Sequence, residues 1–323
     1  MPTLHTTVGR SLRAVATLSP ALAGRLALRS FFVTAPRIPV RDDDSITHQA
    51  ARRTTVLARG RDLTGYAWGS GDRTVLLVHG WRGRASQLAP LVRELVAEGF
   101  QVVSFDAPSH GTSPGGPADI RDWVAATEAL QRAHGPFHAV VGHSLGALAA
   151  LTAARSTVPT RRVAVVSGVG HPDPFLTEFA RDLDLDAPTL AHVEARFLAR
   201  LGEDQASASA RYDAVAHPLP AGTELLVVHD RGDRRMPDLD ARRLHGAHGD
   251  RSRLVLTSGF GHTKVLASDL ALDTLTAFVT GGLDAVDALD VAELGTAALV
   301  PHIRRPPVDA ADALRSARPQ VGA

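Results

Sequence analysis

Ala139-Val140-Val141-Gly142-His143-Ser144-Leu145-Gly146-Ala147-Leu148-Ala149-Ala150 passes from a short apolar run, through a Gly-x-Ser-x-Gly pentad, into a small-residue helical pattern. A serine between two glycines is unremarkable in an Ala- and Gly-rich chain. Its placement is what matters: His138 to Val141 reads as a strand and Leu145 to Arg155 as a helix. A strand that turns this sharply into a helix puts the central serine in a strained conformation. Side chains at 142 and 146 would collide with neighbouring backbone, so both positions are reduced to hydrogen. The hydroxyl of Ser144 then stands clear of the sheet at a helix N-terminus, where free N–H groups favour developing negative charge.

Outward from this turn, β-branched runs alternate with helical periodicity. Thr54–Ala58, Leu63–Trp68, Thr74–Val78, Gln101–Phe105, Arg162–Val166, Glu224–Val228 and Arg253–Leu256 read as strands. Thr74–Val78 is apolar without interruption, as a strand buried on both faces must be. Between them, Ser86–Glu98, Ala118–Ala133 and Val265–Val279 carry helical spacing. This order predicts an α/β fold with a mostly parallel, doubly wound sheet and helices on both faces. The rhythm breaks over residues 171–221, with two helical patterns, Pro174–Leu183 and Thr189–Leu201, and a polar loop after them. An insertion of this size between strands predicts a small helical lid.

A serine hydroxyl needs a base to become a nucleophile, and the base needs an acid to orient it. In this strand–turn–helix context the partners follow the serine in the order acid, then histidine. The strand Glu224–Val228 runs into His229-Asp230-Arg231-Gly232-Asp233, and Arg253–Leu256 into Thr257-Ser258-Gly259-Phe260-Gly261-His262. His262 therefore lies just beyond a strand end, at the edge where catalytic groups of open α/β sheets gather. A loop histidine is ordinarily a solvated side chain; the flanking glycines and the place after the last strand single this one out. Spacing alone leaves Asp230 and Asp233 both open as the acid. Upstream, His79-Gly80-Trp81 follows a buried strand, where the loop supplies one oxyanion N–H and the residue after the serine the other. Trp81 and Leu145 are the expected donors, with His79, Gly80 and His143 as expected substrate contacts.

Together these segments resemble the α/β-hydrolase superfamily, nearest to uncharacterised bacterial esterase-like or serine-aminopeptidase-like members, over about Thr54 to Val279. The resemblance rests on Val78-His79-Gly80-Trp81, Phe105-Asp106-Ala107-Pro108-Ser109-His110-Gly111-Thr112-Ser113, Gly142-His143-Ser144-Leu145-Gly146, His229-Asp230-Arg231-Gly232-Asp233 and Gly259-Phe260-Gly261-His262. It implies that Asp233 is the acid, since the family pattern is His-Gly, two residues, then Asp; here Asp230 replaces that glycine. It also implies that Asp106 and His110 shape the site without taking part. A serine nucleophile sets the chain apart from haloalkane dehalogenases, epoxide hydrolases and dienelactone hydrolases. The implied activity is hydrolysis of a small carboxylic ester or related acyl compound, its acyl group apolar because the insertion carries Phe175, Leu176, Phe179, Leu190 and Phe197. Peracid formation on the same residues without a cofactor, or a non-catalytic binding role, are the alternatives.

Composition bounds the rest. The chain has 323 residues, no cysteine and a formal net charge of +1. Disulfides, thiolate metal sites and a cysteine nucleophile are excluded, and no global field points to nucleic acid. No phosphate loop or dinucleotide fingerprint occurs, so no cofactor is implied. His245-Gly246-Ala247-His248 has metal-like spacing without further ligands and reads as a polar loop. No run reaches the length of a membrane span. Residues 1–50 form an Arg-rich extension: before Val40 there is no acidic residue, while Arg10, Arg13, Arg25, Arg29 and Arg37 recur. Ser19 and Pro20 interrupt its apolar part, which weakens a signal-peptide reading. An amphipathic helix lying on the domain is expected, with contact to a membrane surface as the alternative. Residues 51–282 would form the α/β-hydrolase domain, Val286–Leu299 a further amphipathic stretch, and Pro301–Ala323 a disordered tail. A cytoplasmic location is the default.

Overall fold

The fold is known from a computed structural model that describes residues 4–289 and 298–300. Among the described residues, nine strands form one sheet: β1 (Arg52–Ala58), β2 (Arg61–Trp68), β3 (Thr74–Val78), β4 (Gln101–Phe105), β5 (Ala139–His143), β6 (Arg162–Val166), β7 (Glu224–Asp230), β8 (Ser252–Thr257) and β9 (Ala298–Val300). Their spatial order is β1-β2-β4-β3-β5-β6-β7-β8-β9. From β4 through β8 every neighbouring pair is parallel, and antiparallel pairing is confined to β1–β2, β2–β4 and β8–β9. This is the doubly wound α/β-hydrolase sheet expected from the sequence.

The helices are α1 (Leu4–Ala16), α2 (Pro20–Phe31), α3 (Asp42–Gln49), α4 (Ala89–Ala97), α5 (Ile120–His134), α6 (Leu145–Ala154), α7 (Asp173–Leu183), α8 (Ala187–Leu201), α9 (Gln205–Tyr212), α10 (Asp238–His248), α11 (Gly261–Lys264), α12 (Asp269–Gly281) and α13 (Leu283–Asp287). Because successive residues of a strand face opposite sides, the central strands feed two cores. Leu76 and Val78 of β3 join Val140, Trp123, Leu148 and Leu151 under α5 and α6. Val75 and Leu77 join Val141, Leu91, Leu95 and Phe278 under α4 and α12. Continuous apolar strands are thus what two covered faces require.

Several expectations change. The polar loop after Leu201 contains α9, whose Asp204 caps the helix by accepting from Ser207 N at 2.8 Å. His245 and His248 lie in α10, not in a loop: both are buried, and His248 Nε2 accepts from Leu219 N at 3.0 Å while its Nδ1 donates to the Leu244 carbonyl at 2.7 Å. Among the described residues no cluster of three or more His, Asp or Glu could hold a metal ion. The last long helix is Asp269–Gly281, preceded by a 3-10 turn at Val265–Ala267. Of the stretch Val286–Leu299, the beginning belongs to α13 and Ala298–Val300 pairs with β8 as a strand; residues 290–297 and the tail 301–323 lie outside the described residues.

The N-terminal extension holds two long helices where one was expected. Ser19 and Pro20, which break the apolar run, are the boundary: Ser19 Oγ accepts from Leu22 N at 3.2 Å, and Pro20 occupies the first turn, where its missing N–H costs nothing. Both helices pack on α7 and α8. Gly9 and Gly24 permit it, since a Cβ on Gly9 would lie 2.5 Å from the Leu183 carbonyl oxygen and one on Gly24 would lie 2.7 Å from His192 Cβ. Leu12 and Ala27 pack with Leu176, Leu183 and Val193 in a third, separate core. The result is a cap of five helices, α1, α2, α7, α8 and α9, two of them from the extension. Among the described residues no helix is long and apolar enough to cross a membrane.

Candidate active site

The turn between β5 and α6 has the strain that its sequence announces. Ser144 sits at φ 54, ψ −121, outside the range that most L-residues adopt. A Cβ on Gly142 would lie 2.5 Å from the Gly146 carbonyl oxygen, and one on Gly146 would lie 2.3 Å from that of Val78. Gly80 is needed for a third close approach, because its Cβ would meet Ser144 Cβ at 2.8 Å. Leu145 N–H, at the first turn of α6, has no intrahelical partner by helix geometry.

Three segments at the carboxyl edge, the β5–α6 turn, the loop after β7 and the one-turn helix α11, bring Ser144, Asp233 and His262 together. Ser144 Oγ lies 3.0 Å from His262 Nε2, and His262 Nδ1 lies 2.7 Å from Asp233 Oδ2. Asp233 is fully buried at its side chain, which opposes ionisation, but His262 and the N–H of Met236 outweigh burial and hold its carboxyl below the usual range. Its Oδ1 accepts from Arg235 N at 2.9 Å and Met236 N at 3.0 Å. An ionised carboxylate can only accept, so His262 Nδ1 carries the proton and Nε2 presents its lone pair to the serine hydroxyl. Asp230 is occupied differently. Its oxygens accept from Gly232 N (2.8 Å), Thr257 Oγ1 (2.8 Å) and Phe260 N (3.1 Å), tying the two loops that carry Asp233 and His262.

His143 supports the histidine from behind. Its Nε2 donates to the His262 carbonyl at 2.9 Å, and burial together with the neighbouring His262 pushes its pKa down to about 3. His79 is equally buried: Nδ1 donates to the Gly80 carbonyl at 2.8 Å, and Nε2 accepts from Ala107 N at 3.0 Å. Neither histidine, nor Gly80, is among the residues that line the cavity above Ser144. His79, Gly80 and His143, expected as substrate contacts, are buried here and hold the loops around Ser144. Asp106 and His110 do the same. Asp106 accepts from Ala85 N, Tyr66 Oη and Thr112 N, each at 2.8 Å. His110, its pKa lowered by burial to about 3, accepts from Arg82 N at 2.9 Å and so fixes the turn after Trp81.

The cavity itself measures about 330 Å³ and reaches Ser144, Leu145 and Trp81 at its floor. Phe175, Phe179 and Phe197 of the insertion line it, while Leu176 and Leu190 pack in the core of the cap. The sequence reading missed the other wall: Val8, Phe31, Phe32 and Val33 of the extension. Phe31 stacks on Trp81 with centroids 6.1 Å apart and meets Phe179 edge-on at 5.0 Å. Three arginines tie this segment to the sheet edge through its own or the opposing backbone: Arg82 donates to the Val33 carbonyl (2.9 Å), Arg84 to that of Ile38 (3.1 Å) and Arg37 to that of Gly111 (3.1 Å). The aromatic pair Phe31-Phe32 in an acid-free, Arg-rich stretch was the available signal.

A family model described as "Alpha/beta hydrolase family" matches residues 75–318. The chain belongs to the α/β-hydrolase family. A curated relative of this family member is the pimeloyl-(acyl-carrier protein) methyl ester esterase of Sodalis glossinidius (strain morsitans), 31% identical over 172 residues. That match spans 47% of this chain and 63% of the relative's length, under two thirds of it. Among solved structures, an esterase of Pyrococcus furiosus aligns with a TM-score of 0.57 at 18% identity, over 77% of this chain and 98% of that one. An esterase of Exiguobacterium antarcticum aligns with a TM-score of 0.54 at 17% identity, over 71% and 100%. At such identities these structures establish the fold alone, and this α/β-hydrolase shares it with esterases.

Proposed function

We propose that this α/β-hydrolase is a serine esterase acting on a small carboxylic ester with an apolar acyl chain. The observation that carries the reading is the relay from Asp233 through His262 to Ser144, with contacts of 2.7 and 3.0 Å. As Ser144 Oγ attacks the carbonyl carbon, His262 Nε2 takes its proton. The carbonyl oxygen becomes an oxyanion held by the N–H groups of Trp81 and Leu145; losing one such donor typically costs about 3 kcal/mol of barrier. Asp233 stabilises the imidazolium that forms. Collapse of the tetrahedral intermediate breaks the ester C–O bond, and His262 returns the proton to the departing alcohol. A water molecule, deprotonated by His262, then attacks the acyl-enzyme and releases the acid and free Ser144. The aromatic wall of the cavity suits the acyl chain, and the activity of the Sodalis relative, on a methyl ester, favours an ester over an amide.

Fluorophosphonate labelling followed by peptide mapping tests the nucleophile. Modification confined to Ser144, and absent from Ser144→Ala, is expected. A folded, monodisperse sample that takes no label would sink the esterase reading and favour a binding protein on the same fold.

A further inference from the structure

The cavity above Ser144 adjoins an outer basin lined by Arg82, Glu178, Arg181, Asp182, Arg234 and Arg235. Arg82, Glu178, Asp182 and Arg235 line both spaces, so the basin stands at the rim of the cavity. Its charges do not balance, because four arginines face two carboxylates. Arg235 Nε donates to Glu178 at 2.7 Å, and Arg181 stands 3.8 Å from Asp182. Arg82 and Arg234 form no ion pair among the described residues. The basin thus keeps two positive charges, in a chain whose whole formal charge is +1.

Arg82 is held there under strain. Its φ of 54 lies in the left-handed region that residues with a Cβ avoid, and its N–H donates to His110 Nε2 at 2.9 Å. The guanidinium spends Nε and Nη2 on the Val33 carbonyl and leaves Nη1 without a partner among the described residues. Partial burial and the neighbouring charge of Arg235 hold its pKa below the ordinary arginine value. Like charges gathered beside an apolar wall repel, and a nearby anion relieves that repulsion. The planar fork of arginine suits a carboxylate or a phosphate in that role.

The loops that carry these arginines decide which end of the substrate meets them. Arg234 and Arg235 directly follow Asp233, the partner of His262, and His262 returns the proton to the departing alcohol. Arg235 also acts electrostatically on His143, whose ring centroid lies 5.0 Å from that of His262. Arg82 directly follows Trp81, the oxyanion donor. We infer that the basin binds an anionic group, a carboxylate or phosphate, on the alcohol portion of the ester, with Arg82 and Arg234 as specificity-determining residues. The inference rests on the reading of the apolar cavity as the acyl pocket, which leaves the alcohol on the basin side. A cleft lined by one sign of charge also concentrates such a substrate at its entrance.

The test measures kcat/KM on the full chain for octanoate esters of 4-hydroxybenzamide, 4-hydroxybenzoate and 4-hydroxybenzylphosphonate. The suberate monoester of 4-hydroxybenzamide moves the negative charge to the acyl end. The wild type should favour an acidic alcohol, and the arm with the larger gain names the group. Arg82→Gln and Arg234→Gln should each lower the ratio, acidic over amide, by about fivefold, the scale of one partly exposed charge pair. Arg234→Lys should keep the ratio, and salt at about 0.5 M should shrink it in the wild type. Ratios that both glutamine variants leave within a factor of about two would overturn the inference and spare the esterase reading. So would a gain for the suberate monoester equal to that of the acidic alcohols. Hydrolysis of none of the four esters would also overturn it, and absence of Ser144 labelling besides would bring down both readings.

Discussion

The carboxyl edge of the sheet and the helical cap above it are built on opposite principles. At the edge, Ser144, His262, Asp233 and Gly80 sit at strand ends whose positions follow from parallel pairing, and each is fixed by backbone hydrogen bonds or by close approaches that only glycine allows. The cap instead collects α1, α2, α7, α8 and α9 from two distant parts of the chain, and the first four meet through apolar side chains in a core of their own. The edge is therefore a place where one atom decides whether the chemistry can occur. In the cap, many interchangeable contacts decide what fits.

That contrast orders the expected effects. Ser144→Ala should lower kcat by about 10⁵-fold or more and leave the fold intact, as removal of an activated nucleophile does; steady-state kinetics and a melting curve check both halves. Asp233→Asn should cost about 10⁴-fold by favouring the wrong imidazole tautomer. Asp230→Asn, in a loop tie, should act mainly on stability, and if the two aspartates exchanged these outcomes the assignment of the acid would be reversed. Gly146→Ala should destabilise by about 3 kcal/mol, because its methyl would enter the Val78 carbonyl. A cap change should be milder. Phe31→Ala, which removes the ring stacked on Trp81, should shift preference toward longer acyl chains by several-fold, as removal of one face of an apolar pocket would.

The two regions should also fail at opposite ends of the pH scale. His110 and His143 lie in the edge layer with pKa values lowered by burial to about 3. Their folded values are below the unfolded one near 6.5, so this stability is complete above about 6.5 and is lost as pH falls toward about 3. His171, at the root of the cap, is the reverse. Asp173 and Asp240, at 3.7 and 3.5 Å, raise its pKa to about 9 against partial burial, with Arg243 on the far side of Asp240. That contribution is complete below about 6.5 and is lost as pH rises through about 9. Denaturation followed against pH should show His110→Gln flattening the acid limb and His171→Gln flattening the alkaline one. An acid limb unchanged in His110→Gln, or an alkaline limb unchanged in His171→Gln, would remove that histidine's contribution to stability.

The same contrast explains what could be read from the chain. Thr74–Val78 and Glu224–Val228 were legible because a strand buried on two faces has almost no freedom of composition. The elbow was legible because Gly142 and Gly146 answer to backbone, which repeats from one member of a fold to the next. Spacing leaves Asp230 and Asp233 both open, since they stand three residues apart at the end of one strand, and it is their hydrogen-bond partners that differ. What His79 and His143 bond to was not legible, because a buried histidine that holds a loop looks, in sequence, like one that touches substrate. The cap was half visible. Its inserted helices carry helical spacing, but nothing in residues 4–31 says which distant surface their apolar faces will meet.

The three arginine straps have a consequence for how such a pocket can change. Arg82 and Arg84 hold the carbonyls of Val33 and Ile38, and every amino acid brings a carbonyl of the same kind. Attachment is thus written in main chain and lining in side chain, so residues 31–35 can be exchanged without unfastening the wall they belong to. The floor of the site is fixed by its stereochemistry, while this wall is open to replacement in the way that wallpaper is, and variation in what the enzyme accepts has a ready place to arise.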